Sequence, residues 1–212
     1  KTIKGGTGSG DVNERECVSI YQGLKNAGYE ITTEDWIQDY DKRYQTARNA
    51  WRDDILAKAE KESAVTGFFN VYSGNPFRVP AGKAVEKTDA EVAFYIISRV
   101  AGEGADRFDR PGDYYLTDME KKQLSDICAM YPHVVVAVNT GGLADLSFMD
   151  EFKNIEALLQ IVQPGMEAGN AFADVISGAV TPSGKMTDTW AYQYTDYPNS
   201  ATFSHNNGNV DK

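Results

Sequence analysis

One carboxylate stands between two glycines. Glu103 lies in Ser98-Arg99-Val100-Ala101-Gly102-Glu103-Gly104-Ala105-Asp106-Arg107, directly after an apolar run. Gly102 and Gly104 open backbone angles closed to other residues and let the chain come close to a ligand. They put a carboxyl at a loop tip rather than on a helix face, where it is a candidate to face a ligand. Two plainer readings stand beside this one: a solvated charge, and an Asp106–Arg107 ion pair that only shapes the loop. Glu167 is a rival carboxylate at the first turn of a predicted helix, where the helix dipole favours an acid without any catalytic role.

A second glycine-rich stretch, Gly5-Gly6-Thr7-Gly8-Ser9-Gly10-Asp11, precedes a predicted helix. Gly6-x-Gly8-x-Gly10 has the look of a phosphate cradle at a helix N-terminus. The spacing is not G-x-G-x-x-G, no G-K-[S/T] follows, and Asp11 would repel a phosphate, which argues against a nucleotide. A tight turn without a ligand is the other reading. His133 and His205 are too few for a histidine-based metal site, and Cys17 and Cys128 stand in no metal-ligand spacing. Both cysteines are expected to be small buried apolar residues. Neither a metal nor a cofactor is expected.

The elements that position these loops are written in the apolar pattern. Val92-Ala93-Phe94-Tyr95-Ile96-Ile97, Val134-Val135-Val136-Ala137-Val138 and Ala157-Leu158-Leu159-Gln160-Ile161-Val162 are nearly unbroken runs, which suit strands covered on both faces. A helix is predicted over about 117–130, with Leu124, Ile127 and Cys128 inward, and another over about 167–176. This alternation predicts an α/β fold: a mostly parallel sheet flanked by helices, a three-layer α/β sandwich with right-handed crossovers. Ligands of such sheets bind beyond the carboxyl ends of the strands. The Glu103 loop, Asn139-Thr140-Gly141-Gly142 and Gln163-Pro164-Gly165-Met166-Glu167 all fall on that edge, and the glycine-rich opening is expected to join them.

Elsewhere, Val18, Tyr21, Leu24 and Lys25 mark a helix stopped by Gly28, and residues 29–32 read as a short strand. Thr33 resembles an N-cap followed by acidic Glu34 and Asp35. Trp36, Tyr40, Tyr44, Ala47, Trp51, Ile55 and Ala59 form one stripe on a long helix, expected to pack on the domain's own sheet or on a partner domain. Residues 66–83 read as a long aromatic loop, 185–190 as a further strand, and 195–212 as an irregular tail or the start of a linker to a next domain, after one α/β domain over 1–194.

Of the 212 residues, 42% are hydrophobic, enough for one core of good size. A net charge of -10 argues against nucleic acid and against anionic membrane surfaces. No stretch approaches the ~18 apolar residues of a membrane span. Lys1-Thr2-Ile3-Lys4 holds neither an initiator Met nor a secretory apolar segment, so a fragment of a longer chain is expected; the compartment is left open, the cytoplasm slightly favoured.

Taken together, several stretches carry a family pattern: Lys4 through Asn13, Ile97 through Arg107, Gly112-Asp113-Tyr114-Tyr115-Leu116, Val134 through Gly141, Gln163 through Gly169, and Ala173 through Gly178 with Pro182-Ser183-Gly184-Lys185. In this order they resemble the second, α/β-sandwich domain of glycoside hydrolase family 3, the family of many β-glucosidases and β-xylosidases. The resemblance implies a retaining, exo-acting β-glycosidase of terminal β-linked sugars. Its nucleophile is an aspartate on a separate barrel domain of the same polypeptide. Its general acid/base falls at Glu103, and its sugar-contacting serine at Ser9. Gly8, Gly10, Gly102, Gly104, Asp106 and Arg107 then support the two loops. The alternative is a non-catalytic carbohydrate-binding or domain-packing module of the same fold.

There are departures from the family pattern. No barrel sequence is present, and the family's Leu-Pro-x-Thr is Met186-Thr187-Asp188-Thr189 here. Glu34-Asp35-Trp36 is a capping segment rather than the nucleophile's Ser-Asp-Trp motif. The opening residues resemble members in which this domain precedes the barrel.

Overall fold

The computed structural model describes residues 2–6, 15–62, 66–75, 77, 79–101 and 107–201. Of the sequence-derived site residues, Gly8, Ser9, Gly10, Gly102, Glu103, Gly104 and Asp106 lie outside these, and Arg107 lies within them. The chain divides into two compact units, one of Lys1–Thr32 with Glu86–Lys212, the other Thr33–Val85.

The first unit is built on a parallel sheet of β1 (Val92–Arg99), β2 (His133–Thr140) and β3 (Ile155–Gln160), in that order. Side chains of a strand alternate between its faces, and here both faces are apolar and both are covered. Val134, Val136 and Val138 of β2 join Ile97 of β1 in a core with Leu124 and Ile127 of helix α4 (Asp118–Met130). Ala137, Phe94, Ile96 and Leu159 point the other way. They pack with Ile20 and Leu24 of α1 (Ile20–Asn26) and with Phe172 and Ala173 of α5 (Ala168–Ile176). Three layers result, as the unbroken apolar runs imply.

Local chemistry sets the helix ends. Ser19 accepts the Gln22 N–H at the start of α1, and Gly28, just past its end, has φ +88. Thr117 and Glu120 close a capping box at α4. Where α1 crosses α5, a Cβ on Gly23 would overlap the backbone of Gly169, and one on Gly169 would overlap Ser19. Two glycines therefore let the helix backbones touch, and Gly169 N–H donates to Val18 O across the crossing at 2.9 Å.

Three expectations about this unit are corrected. Residues 29–32 form no strand: the Tyr29 N–H closes α1 on Leu24 O, Ile31 packs into the core, and Thr32 Oγ1 meets Thr88 Oγ1 at 2.7 Å. Residues 185–190 form no strand either. Trp190 anchors them to the core, and Tyr114 donates its hydroxyl to Ala191 O, so side chains replace ladder bonds. Cys17 is exposed and Cys128 half-buried, so only the latter packs against the core.

In the second unit, α2 (Glu34–Ala59) is the long helix. Thr33 holds the N-cap position without a side-chain cap bond, with Glu34 and Asp35 in the first turn. Residues 66–83 are not wholly a loop, since Gly67–Gly74 forms helix α3. The returning chain itself covers the aromatic stripe of α2. Phe77 meets Tyr44 and Trp51 at 5.4 and 5.7 Å, and Tyr72 meets Trp51 at 5.6 Å. The polar edges are satisfied by the same return: Trp36 donates to Lys83 O, Tyr40 to Pro80 O and Trp51 to Asn75 O. Apolar ring faces and satisfied N–H or O–H groups are what buried Trp and Tyr require.

In an exposed helix, Gly→Ala stabilises by about 1 kcal/mol. Gly23→Ala is expected to do the reverse and cost about 1–3 kcal/mol by overpacking the α1–α5 crossing. Urea unfolding reads the sign directly, and a gain in stability would show that the two helices stand further apart.

Candidate functional site

The carboxyl end of β2 carries two polar residues, Asn139 and Thr140, both fully buried. Buried polar groups need partners, and theirs come from neighbouring loops. Asn139 Nδ2 donates to Ile3 O at 2.9 Å and to Val162 O at 2.6 Å, while its Oδ1 accepts the Ile3 N–H at 2.6 Å. Thr140 Oγ1 accepts from Gly142 N and from Arg107 Nη2, at 3.0 and 3.2 Å, and donates to Gly142 O at 2.7 Å. The central strand thus gathers the opening segment, the β3–α5 turn and the residue that follows the Glu103 stretch.

The β3–α5 turn is strained. Val162 has φ +47, a left-handed conformation that β-branched residues rarely adopt. Such a residue costs about 1–3 kcal/mol and persists only where its surroundings over-determine it. Here Asn139 holds its carbonyl. Gln163 Oε1 then accepts the Ala101 N–H at 2.9 Å, and Gly165 N–H donates to Lys4 O at 2.7 Å. Further on, Val18 N–H donates to Met166 O at 2.8 Å. Segments on both sides of the glycine-rich stretch are therefore tied to this one turn.

Two arginines fix the other side. Arg99, at the end of β1, is buried and forks onto Glu120, with Nη1–Oε1 at 2.7 Å and Nη2–Oε2 at 2.8 Å. Its remaining donors reach the carbonyls of Ser98, Asp113 and Tyr115. Glu120 also accepts from Thr117 N and Oγ1, so one carboxylate caps α4 and neutralises the arginine. Burial pushes the Glu120 carboxyl up. The hydrogen bonds and charge of Arg99, together with the Thr117 donors, outweigh it and hold the group below its ordinary value. Arg107 pairs with Asp113 at 3.0 Å and donates to Val100 O at 3.1 Å. Tyr194 donates its hydroxyl to Arg107 O at 3.0 Å, which pins this position from the C-terminal side.

Arg107 and Ala101, the described residues on either side of the Glu103 stretch, thus stand at the carboxyl edge with Ile3 and Lys4. Glu167 does not join them as a poised carboxylate. It occupies the N-cap position of α5, exposed, and accepts from Asn170 Nδ2 at 2.6 Å. Reading by residue type assigned no role to Arg99, Glu120, Asn139, Thr140 or Gln163. Thr117-x-x-Glu120 had a legible signal in the capping-box spacing. Arg99, a cation at the end of an apolar strand, was a second. Among the described residues, no three His, Cys, Asp or Glu side chains cluster as a metal site would need, and no helix is long and apolar enough to cross a membrane.

Residues 1–212 match the sequence profile of the glycosyl hydrolase family 3 C-terminal domain. A β-glucosidase of Ruminococcus albus is 34% identical over 210 residues, which cover 96% of this chain and 20% of that protein. The crystal structure of a β-glucosidase from Paenibacillus barengoltzii is 31% identical with a TM-score of 0.71, over 95% of this chain and 21% of that one. β-Glucosidase 3B of Thermotoga neapolitana, in complex with glucose, gives 29% identity and a TM-score of 0.65, over 95% of this chain and 27% of that one. This chain spans about a fifth to a quarter of the curated relatives it matches.

Removing one partner of a fully buried ion pair costs about 3–5 kcal/mol. Glu120→Gln should cost less than that at pH 7, because the Glu120 side chain is 23% exposed. A depressed carboxyl contributes stability that is full above its unfolded value of about 4.3 and is lost as pH falls through the folded value. Urea unfolding from pH 7 to pH 3 should therefore show the gap between wild type and Glu120→Gln closing as the medium is acidified. A gap that stays constant would mean Glu120 is not charged in its pair with Arg99.

Proposed function

Since the chain belongs to glycosyl hydrolase family 3, as its C-terminal domain, we propose that it is the α/β domain of a retaining β-glucosidase and supplies Glu103 as the general acid/base. The substrate is a terminal β-linked glucoside. The nucleophile is an aspartate of a barrel domain in the same polypeptide. On this reading residues 1–194 belong to the α/β domain, and 195–212 to a tail or to the start of a linker to the next domain.

The single observation that carries this proposal is the convergence at the carboxyl edge. Ile3 and Lys4, which lead toward Ser9, share partners with Ala101 and Arg107, which flank the Glu103 stretch, through Asn139, Thr140 and the 162–165 turn. Ligands of parallel sheets bind at that edge. The similar proteins are β-glucosidases, and they supply the substrate class.

The chemistry runs in two displacements. The barrel aspartate attacks the anomeric carbon as the bond to the leaving oxygen breaks, and Glu103 gives its proton to that oxygen. Glu103, now a carboxylate, takes a proton from water as the water oxygen attacks the same carbon. The enzyme–sugar ester breaks and the sugar leaves with its configuration retained. The two carboxyls must stand about 5–5.5 Å apart, so neither domain is competent alone. Ser9 contacts the sugar, Gly8 and Gly10 let that loop approach it, and Gly102 and Gly104 do the same for Glu103. Asp106 and Arg107 support the acid/base loop.

In the complete enzyme, Glu103→Gln is expected to lower kcat/KM on cellobiose and alkyl glucosides by about 10²–10⁴, the usual worth of general acid catalysis. Dinitrophenyl glucoside, whose leaving group needs no proton, should keep most of its kcat/KM. Equal losses on both substrates would remove Glu103 from the role. The isolated chain, lacking the nucleophile, should turn over neither substrate, and turnover of dinitrophenyl glucoside by the purified chain would sink the shared-site arrangement.

A further inference from the structure

We propose that Gln163 is a positioning residue for the acid/base segment, fixing the Val100–Ala101 peptide from which the chain runs on to Glu103. The proposal rests on Glu103 being the general acid/base.

The peptide between Val100 and Ala101 is gripped at both of its polar atoms. Its carbonyl oxygen accepts from Arg107 Nη2 at 3.1 Å, and its N–H donates to Gln163 Oε1 at 2.9 Å. The ladder between β1 and β2 ends at Arg99 and Thr140, so the sheet does not extend to hold this peptide. Two side chains do so instead, one from the far side of the Glu103 stretch and one from the β3–α5 turn. With both atoms engaged, the peptide plane cannot rotate without breaking both bonds. Glu103 lies two residues further along.

The space around Gln163 is shaped for this contact. A Cβ on Gly141 would stand 2.5 Å from Gln163 Oε1, 2.8 Å from its Cδ and 2.9 Å from Ala101 Cβ. The position just past β2 therefore carries no side chain where the amide crosses to Ala101. Gln163 is in turn delivered by a backbone that has few alternatives. Val162, immediately before it, is held at φ +47, and its carbonyl is captured by the fully buried Asn139. The same Asn139 is locked to both polar atoms of Ile3. A strained turn anchored from the interior thus presents an acceptor to one N–H. Binding energy of this kind orients a reacting group without touching substrate, and a misplacement of about 1 Å can cost 10²-fold in rate.

The test uses the complete enzyme and two variants. Gln163→Met keeps the volume and removes the acceptor, whereas Gln163→Glu keeps an acceptor oxygen at the same reach. Gln163→Met is expected to lower kcat/KM on alkyl glucosides by about tenfold or more and to leave dinitrophenyl glucoside within about twofold. Gln163→Glu should recover most of the alkyl-glucoside activity. Loss of folded protein would reduce both substrates alike, so equal losses overturn the proposal, as does an unchanged Gln163→Met or a Gln163→Glu as impaired as Gln163→Met. Glu103→Gln measured alongside separates the two claims. If it shows leaving-group dependence and Gln163→Met does not, Gln163 alone is dismissed. If Glu103→Gln itself shows none, the acid/base assignment falls and this proposal falls with it.

Discussion

The interior polar pair at the end of β2 sets the terms for the whole carboxyl edge. Asn139 and Thr140 are shut off from water, and a buried polar group left without partners costs about 1–3 kcal/mol. The fold satisfies Asn139 by bringing in backbone from segments far away in sequence, Ile3 on one side and Val162 on the other, and Thr140 through the Gly142 backbone and the Arg107 side chain. The apolar core beneath could tolerate small slips of these loops. Directional hydrogen bonds from a rigid, buried strand end tolerate far less. Precision at this edge is thus a property of the central strand, passed outward through its last two side chains.

Charge is managed by a related device. Arg99 is buried at the end of β1, and an isolated buried guanidinium would be prohibitive. Its two-pronged contact with Glu120 and its three backbone carbonyls satisfy the cation fully. Because Glu120 is also the N3 residue of the α4 capping box, the start of that helix, the end of β1 and the 113–115 turn are bound into one unit. Arg107 repeats the logic one loop away, taking Asp113 as its partner. Asp113 is thereby held by Arg107 through its side chain and by Arg99 through its carbonyl.

The sheet was legible because burial on both faces leaves a plain mark: apolar residues without alternation. The Gly28 stop was legible because it closes a helix whose inward positions stand three or four apart. Residues 29–32 and 185–190 misled because β-prone composition says nothing about whether a neighbouring strand is there to pair with. The cover of the α2 stripe was missed because its partners lie some tens of residues on, in a stretch whose glycines and prolines suggested only a loop. At the site, a carboxylate between glycines is visible as a type, and its proposed role comes from the family resemblance. Gln163 is a different matter. An amide's value lies entirely in whom it meets, and its partner is 62 positions away.

The Thr32–Thr88 contact bears on the architecture of the chain as a whole. The hydroxyls of these two residues touch at 2.7 Å, so the polypeptide leaves the sheet unit and returns to it at nearly one point. Everything between, from Thr33 to Val85, is a detour that begins and ends at a single doorway. The entropy of closing such a detour grows only with the logarithm of its length, about 0.6 kcal/mol for each doubling. The sheet therefore pays almost the same whether the detour is short or long. Its size and content are free to drift, while the strands on either side keep their register.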